Sequence, residues 1–133
     1  MIPEAVRLTG DSSAKVRRLT EGLYDALVGL GCTPYVKTIY VGLEYQGALV
    51  AAIYPHHDRV EVALALPEDH PHPSLIDATH LTWKTMPVAA VLRTPDDLSE
   101  AEALVLEAFT RVSTGSHDVE LPNDRFPRKR GRP

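Results

Sequence analysis

The feature that most constrains the fold is a change of hydrophobic period along the chain. Val16, Leu19, Leu23, Leu27 and Leu30 recur at steps of three and four, which is one apolar stripe on a helix. Val60, Val62, Leu64 and Leu66 then alternate with Arg59, Glu61, Ala63 and Ala65, the period of a strand buried on one face. Leu98, Ala101, Val105, Ala108, Phe109 and Val112 return to helical spacing. A chain with helical stripes at both ends and a two-residue period between them must pack helices on a sheet.

Punctuation residues set the boundaries. Ser12 and Ser13 are N-cap residues, whose hydroxyls accept orphan N–H groups of a first turn. Gly31 and Pro34 stop the helix, which is predicted over 13–30. Tyr35–Tyr45 and Ala48–Tyr54 are rich in β-branched and aromatic residues. Gln46-Gly47 and Pro55-His56-His57-Asp58 read as the turns around the second of them. Residues 67–87 hold four prolines and are predicted irregular, with a helical turn around Ser74–His80. Val88–Arg93 is a fourth strand, and Thr94-Pro95-Asp96-Asp97 opens the last helix as a capping box, with Gly115 at its end.

The predicted order is therefore α-β-β-β-(loop)-β-α. That is an α+β two-layer sandwich with a four-stranded, mainly antiparallel sheet and two helices on one face. Residues 1–115 form the domain and 116–133 a polar tail. Ala63 and Ala65, with Gly42 and one of Ala51 or Ala52, are predicted on the sheet face away from the helices. An open face of small residues there suits a protein partner or a second copy.

The rest of the composition narrows the class. Cys32 is the only cysteine, which removes disulfides and multi-cysteine zinc motifs and fits a reducing compartment. Met1-Ile-Pro-Glu-Ala does not read as a signal peptide, and no apolar run approaches membrane-span length. The expectation is a cytoplasmic protein with no membrane contact. Charge is segregated: residues 125–133 carry five basic residues and no acid, while residues 1–124 carry nine basic residues against all 18 acids. Most of the surface should repel a polyanion, and only the tail would attract one.

Residues Tyr35–Val112 resemble an uncharacterised bacterial domain family, found as small stand-alone proteins or at the C-terminal end of larger proteins labelled as predicted transport or nuclease-related. The likeness runs through Lys37, Tyr40, Gln46-Gly47, Asp58-Arg59-Val60-Glu61-Val62 and Asp96-Asp97-Leu98. It is carried most by His72-Pro73-Ser74-Leu75-Ile76-Asp77-Ala78-Thr79-His80-Leu81-Thr82-Trp83. It implies the fold and names no activity. The element order is also similar, by topology alone, to small α-β4-α domains of some predicted DNA-binding and frataxin-like proteins.

Three groups of residues are candidates for chemistry. Asp77 and His80 are three apart on the predicted turn, where a carboxylate would orient an imidazole. With Trp83 as a stacking wall and Lys37, Tyr40 and Arg59 nearby, they form the candidate ligand or partner site. Their bland alternative is a capped turn plugged by an aromatic. His56, His57, His70 and His72, with Asp58 or Asp69, lack the spacing of a metal set, so no metal or other cofactor is expected. No nucleophile motif or glycine-rich phosphate loop occurs, and the chain leans away from being an enzyme.

The tail holds the sharpest motif. Lys129-Arg130-Gly131-Arg132-Pro133 resembles an AT-hook, although Lys129 stands where a proline often precedes the core. Arg130 and Arg132 would lie along a narrow A·T minor groove, Gly131 would admit the backbone, and Arg128 and Lys129 would meet phosphates. The sequence thus supports a non-enzymatic interaction module first. A DNA-associated accessory protein held by its tail is one alternative, and a small-ligand binder or enzyme built on 77–84 is the other.

Overall fold

The computed structural model describes residues 13–37, 39–81 and 85–115. Among these residues two α-helices, α1 (Ala14–Leu30) and α2 (Pro95–Ser113), bracket six strands: β1 (Thr33–Val36), β2 (Val41–Tyr45), β3 (Ala48–Pro55), β4 (Val60–Leu64), β5 (Leu75–Asp77) and β6 (Val88–Leu92). A 3₁₀ turn, Thr79–Leu81, follows β5. The sheet order is β1-β2-β3-β4-β6-β5, every neighbouring pair antiparallel.

The helix boundaries follow from local chemistry. The Ser13 hydroxyl accepts the Val16 N–H at the start of α1, and Gly31 closes it in the left-handed region. At α2 the capping box is complete: the Asp97 N–H donates to the Thr94 hydroxyl, and the Asp97 carboxylate accepts from the Thr94 N–H. The β2–β3 hairpin turns at Gln46 and Gly47, both with positive φ, the geometry of a two-residue turn that matches strand twist.

The sheet has six strands where four were expected, for two reasons. The predicted strand Tyr35–Tyr45 is a hairpin, folded back between Val36 and Val41, with the Lys37 N–H donating to the Tyr40 carbonyl at 2.8 Å. The predicted helical turn at Ser74–His80 begins instead as β5, because Leu75, Ile76 and Asp77 satisfy their backbone on β6. Only its last residues turn helically.

The helices pack against each other and against the central strands, so they share one side of the sheet. Val41, Leu43, Ile53, Val60, Val62, Leu64 and Leu92 join Val16, Leu23, Leu27, Leu104, Val105 and Ala108 in one buried core. Among the described residues no helix is long and apolar enough to cross a membrane. Trp83 and the tail residues Arg128, Lys129, Arg130, Gly131 and Arg132 lie outside the described residues.

Candidate functional site

Residues paired across an antiparallel ladder share a face. Register therefore defines the sheet side away from the helices. Tyr35, Gly42, Ala52, Ala63, Ala89 and Ile76 form one row across all six strands, and Tyr54, Glu61 and Val91 form the next. Ala52 is the small residue of β3 on this side; Ala51 pairs with Leu43 and Leu64 on the helix side.

The small-residue row was expected to be open, and it is not. Gly42, Ala52, Ala63, Ala65 and Ala89 are buried. Gly42 explains part of the closure. A Cβ there would come within 3.0 Å of the Tyr35 ring and 3.1 Å of Leu49, so its absence lets these side chains fold over the strand. Tyr40 lies beside them, its ring centroid 5.3 Å from that of Tyr54 and 6.5 Å from that of Tyr35.

The chemistry on this side centres on Glu61. Its side chain is only 7% exposed, although it stands on a strand of otherwise apolar residues. His56, in the turn after β3, places Nε2 3.3 Å from Oε1. His80, in the 3₁₀ turn, places Nε2 2.5 Å from Oε2. Each carboxylate oxygen thus faces one imidazole, and each imidazole comes from a different loop. A carboxylate accepts only, so both rings donate through Nε2–H. The rings are 35% and 51% exposed, which leaves them as the outer layer over a buried acid.

His80 is oriented by a carboxylate, but by Glu61 and not by Asp77. Asp77 sits on β5 opposite Val88, in the row that faces the helix side. Tyr40 joins the site through Tyr54, the cross-strand neighbour of Glu61. Lys37 lies with Nζ 5.1 Å from the Tyr35 ring centroid, at the far end of the tyrosine group. Arg59 donates to Asp58 at 2.9 Å and holds that carboxyl below the ordinary aspartate range.

Glu61 and His56 complete the site and were not among its expected residues; His56 lies in the turn expected for it. The available signal was Glu61 itself, an acid inside an alternating apolar strand next to a histidine-bearing turn. Among the described residues, no three His, Cys, Asp or Glu side chains form a metal-holding group. His70, another of the turn histidines, faces Glu107 at 3.0 Å. Comparison with known proteins finds no matching family model, no similar curated protein and no similar solved structure.

Proposed function

We propose that this chain is a non-enzymatic binding module whose site is the Tyr40–Tyr54–His56–Glu61–His80 patch on the side of the sheet away from α1 and α2. One observation carries the reading: a buried carboxylate holds two half-exposed histidines in fixed orientation. Burying a carboxylate is costly, and a well-packed apolar side chain usually serves stability as well or better. The acid is therefore better explained by what it positions than by what it stabilises. The tyrosines supply an aromatic wall beside the two rings. Lys37 and Arg59, both expected near the site, are engaged apart from it, Lys37 over Tyr35 and Arg59 on Asp58.

Backbone-amide NMR against a library of small polar fragments and short peptides tests this. Ligands should shift amides of Tyr54–Glu61 and Thr79–Leu81 and bind at least about tenfold more weakly to His80→Gln, the scale of a lost hydrogen bond to a ligand. Ligands that map elsewhere, or a library with no binder, would sink the reading.

The basic tail supports a second reading on its own. Arg130 and Arg132 in the Lys129–Pro133 motif suit weak, salt-sensitive contact with A·T-rich DNA. The full chain and a 1–124 truncation, each titrated with A·T-rich and G·C-rich duplexes at two salt concentrations, decide it. Binding of the full chain alone, with A·T preference, supports the tail; equal behaviour of both chains removes it.

A further inference from the structure

We propose that Pro67–Ser74 is an acid-released strap, seated along α2 only while His70 and His72 are uncharged. The sequence Glu68-Asp69-His70-Pro71-His72-Pro73-Ser74 alternates histidine and serine with prolines, which have no N–H. The donors that remain are few, and two of them go to imidazole rings. The His72 N–H donates to His70 Nδ1 at 3.2 Å, and the Ser74 N–H donates to His72 Nδ1 at 3.1 Å. Two further bonds tie the strap to the helix. His70 Nε2 lies 3.0 Å from the Glu107 carboxylate, and the Ser74 hydroxyl donates to Glu100 at 3.0 Å. Glu100 and Glu107 are seven residues apart, two turns of one helix face.

An imidazole nitrogen accepts a hydrogen bond only while it carries no proton. In the seated strap both rings use Nδ1 as an acceptor, so a proton on either Nδ1 puts an N–H against a backbone N–H. For His70 the charge would strengthen its pair with Glu107, but that acid is 49% exposed and such pairs are weak. Among the described residues no acid pairs with His72. The two ring centroids are 6.5 Å apart, so charging both adds repulsion. The charged groups on the surrounding elements are Glu100, Glu107 and Arg111, spaced by seven and four along α2, Glu68 and Asp69 in the strap, and Asp77 at the end of β5, so acids outnumber the one base. A charged ring therefore finds counter-charge with the strap released as well as seated, while the Nδ1 acceptors exist only for uncharged rings.

Release stops at β5, which is paired with β6, and at Ala78, whose N–H donates to the Pro87 carbonyl at 2.9 Å. Amide exchange of the full chain, normalised for intrinsic rates, tests the strap between about pH 7.5 and about pH 5. Protection of the His72 and Ser74 amides should fall about tenfold toward the acid end, while Ala78 is unchanged. In the double variant His70→Asn/His72→Asn a non-titrating side-chain oxygen replaces each Nδ1, and the fall should vanish. His72→Asn alone should preserve Ser74 protection and serves if the double variant does not fold. Unchanged protection at acid pH with both rings charged in ring-nitrogen spectra, or an equal loss in the Asn variants, overturns the proposal.

Discussion

Glu61 concentrates the residue-scale argument, because its burial separates stability from function. Glu61→Leu removes a buried charge and can pack among Tyr54, Ala63 and Val91 on the same face; thermal unfolding should show stability unchanged or raised by about 1–3 kcal/mol. The same variant should lose the fragment binding proposed for the patch. Glu61→Ala, which also opens a void where Leu would fill it, should destabilise. Cys32 tests burial directly. It is 5% exposed, and desolvation pushes its thiol up to about 11, so alkylation of the folded protein at mildly alkaline pH should be far slower than of the unfolded chain. The folded value lies above the ordinary 9.0. Its contribution to stability is thus complete below pH 9 and is lost as pH rises toward 11.

At the scale of elements, the α2 capping box carries a pH signature of the opposite sign. The Arg93 N–H, at 2.8 Å, and then the Thr94 N–H hold the Asp97 carboxyl below the ordinary aspartate range. A depressed carboxyl stabilises above its unfolded value and loses that contribution as pH falls through the folded one. Asp97→Asn should therefore flatten the acid limb of a stability–pH curve, and Thr94→Ala should cost about 1 kcal/mol in denaturant unfolding. The β2–β3 turn offers the reverse case. Gln46 sits at φ 54°, so Gln46→Gly or Gln46→Asn should gain about 0.5–1 kcal/mol.

These same elements show what the sequence made legible. Ser13, Gly31, Thr94 and Asp97 act through neighbours within four residues, and each does what its residue type predicts. The hairpin between Val36 and Val41 was hidden because Lys37 to Tyr40 contains no glycine, proline, asparagine or aspartate to announce a turn. Strand β5 was hidden because a three-residue strand has no period of its own; it exists through its pairing with β6.

On the scale of the whole molecule, the site is a product of topology. Glu61 and His80 are 19 residues apart, joined only when β6 inserts between β4 and β5 and the chain returns across the sheet. Asp77 was the nearer acid in sequence, but β5 directs it to the opposite face. Pairings this distant depend on the common core. Leu27→Ala, at a fully buried position, should cost about 2–5 kcal/mol and loosen both helices and sheet together. A two-state denaturation monitored by far-ultraviolet dichroism and by tyrosine fluorescence should give coincident midpoints.

The outermost strands bear on how copies of this protein can meet. At one margin β1 is four residues long and contains Pro34, which withholds a donor; at the other β5 is three residues long. Neither margin presents a long flat template for a foreign strand. Sheet extension from one molecule to the next is therefore a poor route to assembly or fibre growth, and association should proceed through side-chain surfaces.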